Sequence, residues 1–347
     1  MIKVLICLVV ILAIVMIAQL VRAFELSTEL RGGKQNEVTE KDNKMNAMLM
    51  LVFMFVFFGF CIWQFFAWKD LLLPESASVH GLETDTLLNF NFAIIIFVFF
   101  VTEALLFIFA FKYYFRKDNK ATFFAHSNKL EFIWTIIPAL VLTVIIVYGI
   151  KSWNSITDAA PENSLQIELY AKQFDWTARY TGADKKLGSA SFKLIEGSNA
   201  LGLDSLDQSG WDDMIVKGEL HIPIDEPVNF VFRSRDVIHS AYMPHFRAQM
   251  NCVPGMVTQL HFVPRLTTAQ MREKTGNKEF EYVLLCNKIC GAAHWNMQMN
   301  IVVDTKEDYL KWLKDQKPFF NQQMASLEPA ISNVVSDSVL TDSIIKK

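Results

Sequence analysis

At 347 residues, 52% of them hydrophobic, the chain is long enough for one membrane region plus one compact domain. Its formal net charge of −3 gives no basic excess and argues against a nucleic-acid partner.

In chain order, four apolar runs approach or exceed the ~20 residues that cross a bilayer. They are roughly Val4–Val21, Met45–Trp68, Leu88–Phe111 and Phe132–Ile150. Four transmembrane helices are expected, with a membrane part that ends near residue 152. Lys112, Arg116, Lys117, Lys120 and Lys129 put the loop between the third and fourth runs in the cytoplasm. The loop from Leu71 to Leu87 has Glu75, Glu83 and Asp85 and no Lys or Arg, so it is expected outside, as is the soluble part. The loop Phe24–Lys44, with Arg31, Lys34, Lys41 and Lys44, fits inside. The first run also looks like a signal peptide, with Lys3 and a cleavage site at Val21-Arg22-Ala23. Cleavage there would leave three crossings and put the soluble part inside, so retention of the first helix is expected.

Residues 165–303 read as β. "LQIELYA" alternates Leu165, Ile167, Leu169 and Ala171 against polar neighbours, and "VNFVFRS", "MVTQLHFV", "FEYVLLC" and "MNIVVD" are short, apolar and bounded by turn residues. A sandwich or barrel follows. Thr181–Gly218, rich in Gly, Ser, Asp and Lys, reads as an excursion out of the sheet. The tail from about Phe320 to Lys347 is polar and carries no recognisable site.

One stretch concentrates chemistry: Cys286-x-x-x-Cys290-x-x-x-His294-x-x-Met297. A disulfide would explain the cysteines but leave His294 and Met297 as coincidences. Zinc does not ordinarily take a thioether, and its common cysteine spacing is tighter. Thiolate, imidazole and thioether together are the copper electron-transfer set. Two bridging thiolates can hold two copper ions, each of which wants its own imidazole. His294 supplies one. For the other, His239 in "SRDVIHSAYMP" is favoured, read as the end of a strand where a loop begins, the place of the distant histidine in cupredoxin-like folds. His245 is the rival. His221 and His261 read as strand residues, and His80 and His126 lie in or near the membrane part.

Together these residues resemble subunit II of the haem–copper cytochrome c oxidases, bacterial in type with extra N-terminal helices. "LEFIWTIIPAL" (130–140) is similar to the start of the family's last membrane helix, and "KQFDW" (172–176) to its aromatic-rich strand. "RSRDVIHS" and "VPGM" precede the cysteine loop in the expected order. The likeness covers about residues 85–312. It implies two extra N-terminal transmembrane helices over 1–70, a transmembrane hairpin over 71–152, an all-β cupredoxin Greek-key domain over 153–318 and a tail over 319–347. It further implies that Cys286 and Cys290 bridge two copper ions. His239 and His294 bind one each, Met297 is a weak ligand (Met299 being the alternative), and the backbone carbonyl of Lys288 completes the set. The partners implied are a cytochrome c or cytochrome c domain as donor, the catalytic haem-containing subunit with other oxidase subunits, and membrane lipid. The location implied is the bacterial inner membrane, with the C-terminal domain on the periplasmic side. No Cys-x-x-Cys-His occurs, so the donor haem is expected on another chain.

The chain departs from the family pattern at several positions. Lys288 stands where a Glu usually helps hold magnesium. Phe174, with Trp176 two residues on, stands where a Trp often receives the electron. Asp236 matches an acid near the donor's docking face, but Asn251 replaces a second one. Residues 151–347 carry 21 basic and 24 acidic side chains, 21 − 24 = −3, too little for strong steering. Glu131, at the cytoplasmic start of the fourth helix, matches the family's proton-path entrance, against the plainer reading of a helix-start acid. Glu103, mid-helix, should face protein or water, because a carboxyl there costs roughly 2.5–3.5 kcal/mol. Two other classes compete: a quinol-oxidase-type subunit II, which lacks the copper ligands, and a membrane-tethered copper chaperone, which needs no "EFIWTIIP".

Overall fold

A computed structural model of the chain describes residues 2–30, 39–123 and 125–320. Arg31, Lys34 and the tail beyond Phe320 lie outside the described residues. The four apolar runs are helices α1 (Ile2–Leu30), α2 (Glu40–Trp68), α3 (Val79–Lys112) and α4 (Asn128–Thr157), each long and apolar enough to cross a membrane. The sequence places residues 79–87 in an outside loop, whereas they are the first turns of α3. An apolar run marks only the part of a helix that meets lipid, and these polar turns lie against the β-domain instead.

Contacts divide the chain into two units, Met1–Asp70 with Ile95–Ser127, and Leu71–Ile94 with Asn128–Lys347. In the first, α2 opens on a capping box in which Thr39 Oγ1 accepts from the Asp42 N–H and the Asp42 carboxylate accepts from the Thr39 N–H. Phenylalanines hold α2 to the inner part of α3: Phe58 meets Phe100 edge-on at 4.7 Å, and Phe53 meets Phe107 at 5.7 Å. Glu103 is half-buried on α3, four residues from each of the packed Phe99 and Phe107.

Among the described residues of the second unit, ten strands form two five-stranded sheets. The first orders β3 (Met214–Lys217), β2 (Asp175–Tyr180), β1 (Leu165–Lys172), β5 (Val228–Ser234) and β8 (Thr258–Phe262). The second orders β4 (Glu219–Pro223), β10 (Gln298–Asp304), β9 (Tyr282–Cys286), β6 (His239–Met243) and β7 (Ala248–Cys252). β1 pairs with β5 and β4 with β10 in parallel, and the other pairs are antiparallel. Period-two alternation drives Ile167, Leu169, Phe230, Leu260, Ile222 and Ile301 into the space between the sheets, all with no exposure. Each such side chain contributes roughly 1.5–3 kcal/mol.

Three details differ from the sequence expectation. "KQFDW" is not one strand: Gln173 and Phe174 are the two-residue turn joining β1 to β2, and neither is a residue that ordinarily signals such a turn. The excursion ends earlier than Gly218, since Met214–Lys217 returns as β3 with Tyr180 opposite Met214. His239 opens β6 rather than closing a strand. A short helix, α5 (Thr268–Thr275), interrupts the β pattern, and another, α6 (Lys306–Asp315), follows it.

The excursion is pinned by buried charge. Arg179 of β2 donates to Glu168 of β1 at 2.6 Å, to Asp213 at 2.8 Å and to the Gly188 carbonyl at 2.8 Å. Asp213 also accepts from the Gly188 N–H. Burial pushes the Asp213 carboxyl up to about 6, against the pull of Arg179.

The approach to α3 is built into the sandwich. The Ala77 N–H donates to His245 O, the Arg265 N–H to Ala77 O, and Ser78 Oγ to Phe246 O at 2.6 Å. Arg247 grips Asp85 of α3 through Nε and Nη2 at 2.7 and 2.9 Å, and also reaches the Pro74 and Pro244 carbonyls. Its side chain is 8% exposed. Removing Arg247 leaves the part-buried Asp85 carboxylate and two carbonyls unmatched. Arg247→Ala should therefore destabilise this junction by about 3 kcal/mol. The expected readings are a lowered thermal midpoint and faster proteolysis within residues 71–79; unchanged proteolysis would show that the junction holds without Arg247.

Candidate metal centre

The site grows from the second sheet. β9 ends at Cys286, and the antiparallel ladder with β10 (Leu285 opposite Gln298) continues into a bond from the Cys286 N–H to the Met297 carbonyl at 3.0 Å. Residues 287–296 thus form a closed loop. The Asn287 N–H donates to Ser240 O on β6, beside His239. Gly291, with φ +140°, lets the loop turn back under the β1–β2 turn. A Cβ at Gly291 would lie 2.8 Å from the Phe174 ring and 2.9 Å from Gln173 Nε2.

Within this frame soft donors converge. The Cys286 and Cys290 sulfurs are 3.9 Å apart. His239 Nδ1 is 3.9 Å and the Lys288 carbonyl oxygen 3.2 Å from Cys286 Sγ. His294 Nδ1 is 3.6 Å and Met297 Sδ 3.8 Å from Cys290 Sγ. The donor atoms of His239, Cys286 and Cys290 all lie within 4.8 Å of one another. A disulfide needs sulfurs about 2.05 Å apart, and both cysteines are free. His239, Cys286, Cys290 and Met297 are buried and His294 is half-buried. Burial, with Cys286 alongside, pushes the Cys290 thiol up to about 11.

The surrounding residues orient these donors. Asp236 Oδ1 accepts from His239 Nε2 at 2.8 Å, which leaves Nδ1 free to face the sulfurs. Burial alone would raise the Asp236 carboxyl. Hydrogen bonds from the Gln173 N–H, His239 and the Val237 N–H outweigh it and hold the carboxyl below the usual range. Gln173 Nε2 also donates to the Cys290 carbonyl, which fixes the loop from the side of the first sheet. Trp176, fully buried, lies edge-on to His239 at 6.3 Å and directs Nε1 at the Met297 carbonyl.

The six residues expected from the motif and from the family resemblance, His239, Cys286, Lys288, Cys290, His294 and Met297, thus come together, Lys288 through its carbonyl while its side chain is exposed. The rivals lie elsewhere. His245 packs edge-on against Phe280 and Tyr282, and His221 sits between Glu219 and Asp304, stacked on Trp312. Met299 is buried in β10, opposite Leu284. Of the two aromatics, Phe174 reaches the surface and Trp176 does not. Glu131 is in the first turn of α4. Sequence reasoning missed Gln173 and Gly291. Gly291, directly after Cys290, carried a usable signal; Gln173 carried none.

Two family models match the chain: "Cytochrome C oxidase subunit II, transmembrane domain" over residues 66–151 and "Cytochrome C oxidase subunit II, periplasmic domain" over residues 165–306. The alternative cytochrome c oxidase subunit 2 of Bradyrhizobium diazoefficiens is 31% identical over 236 residues, covering 68% of this chain and 80% of the relative. Cytochrome c oxidase subunit 2 of Synechocystis sp. is 25% identical over 283 residues, covering 76% and 82%. The solved periplasmic domain of subunit II of cytochrome oxidase (CoxB) of Bradyrhizobium japonicum is 19% identical, covering 45% of this chain and 95% of that one, with a TM-score of 0.30.

Asp236 fixes which nitrogen of His239 faces the sulfurs. Asp236→Ala should lower the cluster's affinity for a soft metal ion on the order of 10- to 100-fold, read by chelator competition on the reduced protein. Unchanged affinity would take Asp236 out of the site.

Proposed function

Because the chain belongs to the cytochrome c oxidase subunit II family, a subunit of a haem–copper oxidase with transmembrane helices and a periplasmic cupredoxin domain, we propose that it is the oxidase's electron-accepting subunit. It takes electrons one at a time from a cytochrome c and passes them to haem in the catalytic subunit, where oxygen is reduced and protons are pumped. The membrane is the bacterial inner membrane. The observation that carries this reading is the clustering of two thiols, two imidazoles, a thioether and a carbonyl within 3.2–3.9 Å of one or other cysteine sulfur.

That donor set fits two copper ions. Cys286, Cys290, His239, His294, Met297 and the Lys288 carbonyl would hold them. Bound there, the copper pair would supply a one-electron carrier. The chain's own residues keep the ligands still: Asp236 orients His239, Gln173 anchors the Cys290 carbonyl, and Phe174 covers the loop at Gly291. A donor shell that does not move when charge arrives keeps reorganisation small. The exposed Lys288 ammonium stands where the family pattern has a magnesium-holding acid. The Lys288 carbonyl, 3.2 Å from Cys286 Sγ, is the atom assigned to the metal. A quinol-oxidase-type subunit would not need the two cysteines, and a copper chaperone would not need the α3–α4 hairpin.

Metal analysis of the purified oxidase should give two copper ions per copy of this chain. Cys286→Ser or Cys290→Ser should abolish the shared-valence pair, whereas Lys288→Met should keep both ions. One copper, or zinc, in the unsubstituted protein would sink the assignment, and copper loss in Lys288→Met would overturn the carbonyl's role.

Glu131 is proposed as the mouth of a proton path leading into the catalytic subunit. Glu131→Ala should slow proton uptake linked to reduction of the oxygen site while leaving copper reduction normal. Rates of both steps unchanged by the substitution would return Glu131 to a helix-start acid.

A further inference from the structure

Between α3 and α4, at the end nearest the β-domain, lies a cavity of about 700 Å³, within the range of ligand sites. Its lining changes along the helices. Glu83 of α3 and Lys151 and Ser152 of α4 line one end, and Leu87, Phe90, Val144 and Tyr148 line the other. Seven residues separate Glu83 from Phe90, and seven separate Val144 from Lys151. At 1.5 Å per residue the polar and apolar ends are about 10 Å apart. α3 begins at Val79 and α4 ends at Thr157, so the polar end lies where both spans leave the bilayer on the periplasmic side. Tyr148, about one turn before Lys151 on α4, stands where the apolar end gives way to the polar one, as tyrosines at membrane surfaces do.

Two charges at this mouth have no partner. Glu83 and Lys151 line the same cavity, yet among the described residues neither makes an ion pair or a hydrogen bond, with the other or with any third group. At a membrane surface, opposite charges held apart over an apolar slot match a headgroup that carries both signs.

We propose that this cavity binds one zwitterionic glycerophospholipid of the outer leaflet, a phosphatidylethanolamine. Its phosphate sits at Lys151 and Ser152, its ammonium at Glu83, and an acyl chain runs along Leu87, Phe90 and Val144. An anionic phospholipid satisfies Lys151 but leaves Glu83 beside a headgroup with no cation. A helix from another subunit fills the apolar end and leaves both charges unmatched. The inference is independent of the copper assignment, because none of these residues belongs to the metal cluster.

The test uses the whole oxidase, purified in mild detergent and washed until bulk lipid is gone. The expected result is about one phosphatidylethanolamine retained per copy of this chain, the count that a single headgroup-sized mouth allows. Lys151→Glu should cut retention roughly fivefold or more, as losing one lysine's attraction to a phosphate implies. Glu83→Gln should shift retention from phosphatidylethanolamine toward phosphatidylglycerol. Haem and copper content should stay unchanged in both. Should a variant fail to assemble, the unsubstituted oxidase in nanodiscs with photoactivatable phosphatidylethanolamine should crosslink within residues 83–90 and 144–155. Retention unaffected by Lys151→Glu, equal retention of phosphatidylglycerol by the unsubstituted protein, or crosslinks from Phe90 and Val144 to another subunit's helix would each overturn the proposal.

Discussion

The candidate metal centre depends on one backbone hydrogen bond, from the Cys286 N–H to the Met297 carbonyl. It is the last rung of the β9–β10 ladder, and it turns ten residues of loop into a ring whose ends cannot separate. A cysteine and a methionine eleven positions apart are thereby set face to face. The neighbouring rung, from the Asn287 N–H to Ser240 O, sets the ring's start beside β6 and so beside His239. Donors from two distant stretches of sequence converge because each stretch is an extension of the same sheet. Sites mounted on strands hold their geometry more closely than sites hung on free loops.

A second constraint acts at the other end of the domain. Arg247 has φ +53°, a left-handed conformation that costs a non-glycine residue roughly 1–2 kcal/mol. Its guanidinium makes four hydrogen bonds, two to Asp85 and one each to the Pro74 and Pro244 carbonyls, which outweigh that cost. Gly81 belongs to the same junction, since a Cβ there would fall 2.0 Å from Ser76 Oγ. The domain is thus seated on the first turns of α3 rather than tethered to them. If the chain hands on electrons as proposed, a seated domain fixes a distance that a tether would let wander.

Much of this was legible in the sequence, for identifiable reasons. The helices announced themselves because a bilayer leaves no other use for twenty apolar residues in a row. The donor set was legible because Cys, His and Met so close together serve few chemistries; the choice of Met297 over Met299 came only from the spacing of the family it resembles. What stayed hidden depended on tertiary contact. The turn at Gln173–Phe174 lacks Gly, Asn or Asp, so nothing local marked it. α3 continues past its apolar run because the β-domain, not lipid, covers its first turns. The return of β3 was masked by Asp212 and Asp213 before it and Gly218 after it, although Ile215 and Val216 are ordinary strand residues. Gln173 was invisible as a support for the cysteine loop, because its target lies more than a hundred residues away.

The excursion between β2 and β3 has a consequence for how such a chain can grow. It leaves the first sheet at Tyr180 and re-enters at Met214, residues that stand directly opposite each other in the ladder. The base of the excursion is therefore only one strand spacing wide, whatever its length. Its buried charges, Arg179 with Glu168 and Asp213, are on the side of β1 and β2 that faces away from the sandwich core. Residues gained or lost between these two anchors leave the register of every strand as it was. This stretch is a natural graft point, where new surface can be added without disturbing the strands that hold the metal cluster.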